Sequence, residues 1–402
     1  MTAALHLALR HARAHPWRTL LLGACLAATF AVPLAAARVL AAYESALRAR
    51  AVTTPVVVGP AGSRFDLAFA ALWFRITDLD PVPRSVLERL RHPDVLLLPM
   101  HVRATIRLDP DEPPSPLVAT TPEYLEFRGL RAAEGTPPLL LADAALGATA
   151  ARRLGLSVGD TVFTDPLDLY DITLPPSIEL TVTGILEPTG TPDDDAVFTS
   201  LPTAWLVEGL LHGHDDPEEL AEAGDPNVLA RSGNRVALAP DLVEDSVVRV
   251  EDLGRIHAHG DMDEAPLTAV IVVPRPELPP DRRAKARTIV SARADADPLR
   301  RAIDPDAVFD ELLGFALQIK RLVDALALVL GACTLALVTL VTALSTRARA
   351  AEFRTLHDLG APRRTAALAV SAELATIGGV AIAAAWGAAE LAARFGEGLL
   401  LP

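Results

Sequence analysis

Two histidine-containing segments carry residue types that suggest chemistry. The first is His212-Gly-His214-Asp-Asp and the second is His257-Ala-His259-Gly-Asp. Because imidazole and carboxylate ligands suit zinc or copper, all four histidines are candidate metal ligands. Neither segment has the His-Glu-x-x-His spacing of a hydrolytic zinc site, and glycine- and acid-rich stretches are also typical of solvated surface loops. We therefore predict no catalytic residue here, and a metal site and a surface loop both stay open.

A second chemical feature is a single acid inside an apolar segment. Glu373 is the only charged residue in the segment 366–389. At 1.5 Å per residue it lies roughly 12 Å from the start of that segment. An ionised carboxylate at such a depth costs up to about 3 kcal/mol on insertion scales, so we expect Glu373 to face protein rather than lipid. Its role could be a functional contact, or it could be a neutral acid that hydrogen-bonds a neighbouring helix.

Three segments with few or no charges, 19–37, 325–345 and 366–389, are long enough to cross a bilayer. The second has 21 uncharged residues, which span the roughly 30 Å hydrocarbon layer as a helix. The first could instead be a cleaved signal peptide, since a basic start precedes it. Its 19 uncharged residues exceed the usual apolar region of about 7 to 15 residues, however. We therefore predict three transmembrane helices, the first being an anchor.

Two short basic segments predict the orientation of these helices. The N-terminal tail contains three arginines and no acid, and the segment 347–365 contains five arginines against two acids. Short loops rich in arginine stay in the cytoplasm, whereas long domains cross regardless of charge. Two crossings separate the basic segments, so both are expected in the cytoplasm. The long segment between the first two spans is then extracytoplasmic.

The long segment has the pattern of an α+β domain. Strand-like runs at 55–58, 94–98, 178–186 and 267–273 alternate with helical ones. A helical period through Leu146, Ala150 and Leu154 ends at Gly155, and a turn at Gly159 precedes a further strand.

The two segments that flank this domain, 43–52 and 305–322, are predicted to extend the neighbouring membrane helices as long stalks. The net charge of −14 lies largely in the exported segment, which disfavours nucleic acid and anionic lipid as ligands of that segment. The predicted organisation is a cytoplasmic tail (1–18), a first span (19–42), an extracytoplasmic domain with stalks (43–323), a second span (324–346), a cytoplasmic loop (347–365), a third span (366–391) and an extracytoplasmic tail (392–402).

Two parts of the sequence resemble a known family. The ordered segments GATAARRLGLSVGDTV (147–162), TVTGILEPTGTPDDDAVFT (181–199) and AWLVEG (204–209) resemble the periplasmic core domain of MacB-type ABC transporter permeases. The segment EFRTLHDLGAPRR (352–364) resembles the signature of the FtsX-like permease domain, in which a helix rich in Arg and Glu ends in Leu-Gly-Ala followed by basic residues. With the N-terminal anchor, the resemblance covers nearly the whole chain.

The resemblance implies a coupling helix that sits in a groove of an ATPase subunit. Residues 350–359 can form a short amphipathic helix with Phe353, Leu356 and Leu359 on one side, and Gly360 would end it. An ordinary basic connector is the alternative. The family also commonly has a glutamate early in the third span, where this chain has Glu373. The candidate coupling residues are Glu352, Phe353, Arg354, Leu356, Leu359, Gly360, Arg363 and Arg364.

The resemblance also implies the partners. The sequence contains no G-x-x-x-x-G-K-[ST] motif, so ATP would be used by a separate cytoplasmic ABC ATPase subunit, and this chain would bind no cofactor directly. It would be a permease rather than an enzyme, in a homo- or heterodimer within the inner (plasma) membrane. It would contact membrane lipid and could also bind a periplasmic partner. The expected activity is export or extraction of a lipophilic or peptide-like substrate. The alternatives are a scaffold that activates an extracytoplasmic hydrolase and a non-transporting receptor or remnant.

One departure from the family pattern is expected to matter. The family usually has four spans per permease, and only three are predicted here. A truncation, a frameshift or completion by a neighbouring chain would each account for the difference.

Overall fold

The computed structural model describes residues 2–167, 177–212, 228–232, 235–238, 256–258, 261–362 and 364–400. The chain divides into two compact units. One, the helical unit, comprises Met1–Arg48 and Asp310–Pro402, and the other, the sheet unit, comprises Ala49–Phe309.

The described helices are α1 (Thr2–Ala14), α2 (Pro16–Val52), α3 (Arg64–Trp73), α4 (Val86–Leu90), α5 (Pro122–Arg128), α6 (Ala148–Leu154), α7 (Leu201–Val207), α8 (Pro280–Asp295), α9 (Pro305–Ala348), α10 (Ala350–Asp358) and α11 (Arg364–Leu400). The described strands are β1 (Val56–Pro60), β2 (Val82–Pro83), β3 (Val95–Ile106), β4 (Ser115–Thr120), β5 (Ala132–Gly135), β6 (Asp143–Leu146), β7 (Thr161–Phe163), β8 (Glu179–Leu186), β9 (Val197–Ser200), β10 (Leu211–His212), β11 (Val228–Ser232), β12 (Arg235–Leu238), β13 (His257–Ala258), β14 (Pro266–Leu267), β15 (Ala269–Pro274) and β16 (Arg300–Ile303).

A mixed sheet forms the centre of the sheet unit. Its strand order is β16-β1-β15-β3-β4-β9-β6-β8-β5, and β7 pairs with β8. The pairs β4·β9 and β6·β8 are parallel and the others are antiparallel. One apolar core packs α8 and α4 against β1 and β15, and a second packs α6 against β6 and β8. The predicted α+β domain is therefore confirmed.

One predicted helix was drawn too long. The apolar residues Leu146, Ala150 and Leu154 suggested a helical period, but Leu146 ends the buried strand β6, and α6 begins only after Gly147. The helical period arises because a buried strand leads directly into a short amphipathic helix. The predicted stop at Gly155 is confirmed, since this residue has φ +64° and caps α6.

A buried polar cluster lies beside the sheet in the same unit. The Arg50 guanidinium, in the last turn of α2, donates to the Asp193 carboxylate at 3.0 Å and to the Tyr124 hydroxyl at 3.0 Å. The Tyr124 hydroxyl in turn donates to Asp193 at 3.1 Å. Burial and the neighbouring Asp193 carboxylate raise the pKa of Tyr124 to about 12. All three side chains are almost fully buried, so each depends on the others for its hydrogen bonds.

Three of the described helices are long and apolar enough to cross a membrane: Pro16–Val52, Pro305–Ala348 and Arg364–Arg394. The first and second also contain the segments 43–52 and 305–322 as uninterrupted helix, and the role of these segments as stalks stays a prediction. Within the helical unit, Leu22, Val338 and Ile377 bring α2, α9 and α11 together. The buried hydroxyls of Thr29 and Thr334 also lie 3.0 Å apart between α2 and α9.

Candidate functional site

The segment between the second and third long helices forms the predicted short helix. Helix α10 begins after Arg349, whose side chain lies over the Phe353 ring at 5.0 Å and 3.3 Å from the Glu352 carboxylate. The helix ends at Asp358, and Gly360 then has φ +96°, a conformation that favours glycine. The predicted stop at Gly360 is thus present in the backbone.

The three apolar residues expected on one side of this helix have different surroundings. Phe353 and Leu356 are half-buried and line a groove of about 350 Å³ together with residues at the end of α9 and the start of α11. Leu359 follows the helix, and its backbone N–H still donates to the Thr355 carbonyl at 3.0 Å, but its side chain is 80 % exposed and does not line the groove. A single apolar side shared by all three residues stays a prediction.

The remaining candidate coupling residues have different surroundings. Arg354 lines the same groove, whereas Glu352, whose side chain is 68 % exposed, does not. Arg364 is exposed and is the first residue of α11. Arg363 lies outside the described residues. The exposed residues of α10 that do not line the groove are Ala351, Glu352, Thr355 and Asp358, followed by Leu359; we call these five residues the outer face of α10.

Glu373 lies at the centre of a charge cluster that joins the helices of this unit. One carboxylate oxygen is 3.3 Å from the Arg18 guanidinium and 3.8 Å from the His11 ring, and the other is 3.6 Å from Arg349. Arg18 also donates to the Ser345 hydroxyl on α9. Glu373 is only 6 % exposed. A buried carboxylate needs such partners. The cluster therefore connects α11 to α1, to α2, to α9 and to the start of α10.

His11 has an altered titration in this cluster. Burial, assisted by the positive charges of Arg349 and Arg18, lowers the pKa of the His11 imidazole, although the Glu373 carboxylate opposes the shift. His11 is therefore neutral at pH 7, and the two arginines supply the positive charge that the carboxylate requires.

Sequence reasoning identified Glu373 and the coupling segment but missed the residues that connect them. His11 was not considered, and Arg18 and Arg349 were noticed only as contributors to the basic character of two short segments. The usable signal was the placement of each arginine. Arg18 directly precedes the first apolar run, and Arg349 directly precedes the amphipathic helix. A buried acid near the start of the third span needs cations at that level.

A second polar contact lies at the opposite end of the apolar band. The Arg38 guanidinium is 3.6 Å from the Glu390 carboxylate and lies over the Trp386 ring at 5.9 Å. Arg18 and Arg38 are about 30 Å apart along α2, which is the thickness of the hydrocarbon layer. Tryptophan and arginine are typical of membrane interfaces. Glu373 therefore lies level with Arg18, at one edge of the apolar band.

The histidine segments are described only in part. The backbone of β10 pairs with that of β13, and His212 is directly opposite His257 in the ladder. Directly opposed residues lie on the same face of an antiparallel pair. His214 and His259 lie outside the described residues, and within the described part of the chain no three potential ligands form a metal-binding group. Metal binding by these histidines stays a prediction.

Comparison with known protein families identifies the family of this chain. A family model described as the MacB-like periplasmic core domain matches residues 31–245, which is more than half of the 402 residues. The chain belongs to the MacB-like periplasmic core domain family. This confirms the resemblance seen in the segments 147–162, 181–199 and 204–209. No curated protein was found to match the chain.

Two solved structures align with most of their own length. The periplasmic region of MacB from Actinobacillus actinomycetemcomitans is 9 % identical, with a TM-score of 0.36, and the alignment covers 64 % of this chain and 92 % of that one. The extracellular domain of the noncanonic ABC-type transporter YknZ from Gram-positive bacteria is also 9 % identical, with a TM-score of 0.32 and coverage of 62 % and 98 %. At these values the alignments carry no argument about function.

Family membership places the elements described above. Proteins with a MacB-like periplasmic core domain are permease components of ABC transporters. These permease components are not themselves enzymes, and they work with cytoplasmic ATPases. This chain is accordingly a membrane protein with an extracytoplasmic domain and three helices that could span the membrane.

Proposed function

We propose that this chain is the permease subunit of a MacB/FtsX-type ABC transporter in the inner (plasma) membrane. A separate cytoplasmic ATPase would bind α10, and its ATP-driven movement would reach the extracytoplasmic domain through the long helices α2 and α9. The substrate would be a lipophilic or peptide-like molecule that is exported or extracted on the outer side. Two copies of the permease, identical or different, would act together.

The observation that carries this proposal is the Arg349–Glu373 contact. Arg349 is the residue directly before α10, and its guanidinium lies 3.6 Å from a carboxylate that also contacts Arg18 at the start of α2. A displacement of α10 therefore acts on α2 and α11 through charged contacts as well as through the chain. An ordinary connector between two spans would not need a buried acid to hold it.

The outer face of α10 is the surface that we assign to the ATPase. Its side chains are exposed, and Leu359 is the large apolar residue among them. A lone exposed leucine is unremarkable by itself. Here it follows a helix whose other large apolar residues, Phe353 and Leu356, are half-buried and line the groove. Leu359 is thus the large apolar residue that this segment exposes most to a partner.

Co-purification from native membranes tests the proposal. Leu359→Asp should abolish recovery of an ATPase with a P-loop, while the chain stays folded. The matched control is Leu299→Asp, because Leu299 is 77 % exposed in the sheet unit and Leu359 is 80 % exposed. Failure to recover any ATPase with the unaltered, folded chain would contradict the proposal and favour a receptor. Loss with both variants would show that the effect is not specific to α10.

A further inference from the structure

An apolar groove runs along the surface of the helical unit between α2 and α11. Its volume is about 510 Å³. Small residues of α2, namely Gly23, Ala24 and Ala27, form one side, and Val380 and Ala384 of α11 contribute to the other. The small side chains leave the groove open because they do not fill the space between the two helices. The groove faces away from the Thr29–Thr334 contact that joins α2 to α9.

The dimensions of the groove match one leaflet of a membrane. On α2 it extends from Pro16 to Ala27, about 16 Å at 1.5 Å per residue. Half of a hydrocarbon layer is about 15 Å thick. The predicted orientation puts the basic N-terminal tail in the cytoplasm. The groove starts at the end of α2 that holds Arg18, so on that orientation it lies within the cytoplasmic leaflet.

A cationic side chain lies at the mouth of this groove. Arg13, in the last turn of α1, lines the groove and is exposed. Within the described part of the chain it makes no hydrogen bond or ion pair, in contrast to Arg18, which is committed to Glu373. The cytoplasmic leaflet is the leaflet that carries anionic headgroups. An acyl channel with an unpartnered guanidinium at headgroup level matches the two chemical parts of an anionic phospholipid.

We propose that this groove binds one anionic phospholipid of the cytoplasmic leaflet, with an acyl chain between α2 and α11 and the phosphate on Arg13. A helix from a second copy could also use the small residues, but an apolar helix would leave Arg13 without an anion. The charge at the mouth therefore favours the lipid. The site is distinct from the outer face of α10 and does not depend on the ATPase.

Native mass spectrometry of the full chain in detergent tests this site, with phosphatidylglycerol and phosphatidylcholine as the probes. We expect phosphatidylglycerol to bind more tightly, and Arg13→Gln to weaken it about fivefold, the effect of one basic residue near an anionic surface. Arg347→Gln is the matched control, because Arg347 is exposed in the last turn of α9 and does not line the groove. Equal affinity for the two lipids, or equal loss with both variants, would overturn the proposal.

A second pair of variants tests the apolar part. Ala24→Phe should fill the groove and displace the bound lipid, whereas Ala28→Phe, at an exposed position of α2 outside the groove, should not. A third variant tests whether a protein helix occupies the groove. It carries Ala24→Cys together with Cys25→Ser and Cys333→Ser, so that the new cysteine is the crosslinking site. Efficient crosslinking of two copies through Ala24→Cys in native membranes would show that a helix fills the groove, and would sink the lipid assignment.

Discussion

The Arg18 guanidinium donates a hydrogen bond to Glu373 at 3.3 Å across 355 positions of sequence. The other carboxylate oxygen is 3.6 Å from Arg349. This one acid, on α11, therefore contacts both the start of α2 and the residue that precedes α10. Because this acid is 6 % exposed, removal of its charge takes a buried counterion from Arg18 and from Arg349, and Arg349 then keeps the exposed Glu352 carboxylate at 3.3 Å.

Glu373→Gln is expected to destabilise the helical unit and to loosen α10. The glutamine keeps the size of the side chain but removes the charge that Arg18 and Arg349 require. Loss of one partner from a fully buried ion pair costs about 3–5 kcal/mol, and Arg18 is a quarter exposed, so we expect a smaller cost, up to about 3 kcal/mol. The measurement is thermal unfolding in detergent, together with ATP hydrolysis by the assembled complex.

A double-mutant cycle separates the contact from unrelated damage. If the pair is coupled, the double variant Arg18→Gln, Glu373→Gln should lose less stability than the sum of the single variants, by about 0.5–3 kcal/mol. Additive losses would mean that the 3.3 Å contact contributes nothing. Glu390→Gln, at the opposite end of α11 and about one-third exposed, is the control and should have little effect.

Leu356 and Leu359 are expected to respond differently to the same substitution. Leu356→Asp places a charge in the groove between α9 and α11, so it should lower the thermal stability by about 1–3 kcal/mol. Leu359→Asp lies on the outer face of α10 and should change the stability by no more than about 0.5 kcal/mol while it abolishes ATPase binding. Thermal unfolding and co-purification of the same two proteins decide this. A stable Leu356→Asp variant that loses the ATPase would return Leu356 to the docking surface.

The contrast between these leucines shows where sequence reasoning worked and where it stopped. The three long helices followed from apolar length, and the stop at Gly360 followed from residue type, because both are local properties. That Phe353 and Leu356 line the groove while Leu359 is exposed was not predictable from period alone. It depends on which side of α10 the ends of α9 and α11 cover, and this is not encoded within ten residues.

In the sheet unit, too, local features were predictable from the sequence, whereas contacts between distant positions were not. The strand positions near Val56 and Leu186 were evident from β-branched and apolar runs, but their neighbours in the sheet were not. The sequence gives no sign that Arg50, Tyr124 and Asp193 meet, since their partners are 69 to 143 positions apart. Asp193 begins the run Asp193-Asp194-Asp195, whose composition alone predicts a solvated negative charge, yet Asp193 is 2 % exposed.

Gly147 is expected to tolerate no side chain. A Cβ atom at this position would lie 2.3 Å from the carbonyl oxygen of Asp193 and 2.5 Å from that of Asp194. The backbone of this turn would have to move, so Gly147→Ala should cost about 1–3 kcal/mol of unfolding free energy, measured by urea denaturation. The control is Gly62→Ala, whose Cβ would meet only the tip of the Leu79 side chain, at 2.6 Å. Equal costs would show that the backbone of the turn yields as easily as that side chain.

Asp193 is expected to make the stability of the sheet unit sensitive to acid. Burial alone raises the pKa of the Asp193 carboxyl, but the Arg50 guanidinium outweighs it and brings the pKa below its usual value of 3.8. Because the folded pKa is depressed, the contribution of Asp193 is fully present at neutral pH. It should decline as the pH falls from about 5 through the unfolded pKa towards the folded one. Urea denaturation followed by the fluorescence of Trp73 and Trp205 measures it.

Asp193→Asn provides the test of this assignment. The variant should cost about 3–5 kcal/mol at pH 7, because it leaves the buried Arg50 without a counterion, and the difference from the unaltered chain should shrink as the pH falls. Asp195→Asn is the matched control two residues away. The Asp195 side chain, which pairs with Arg153, is one-third exposed, so Asp195→Asn should cost less than about 1 kcal/mol. If the cost of Asp193→Asn stayed constant down to pH 3, the acid sensitivity would have to come from another carboxylate.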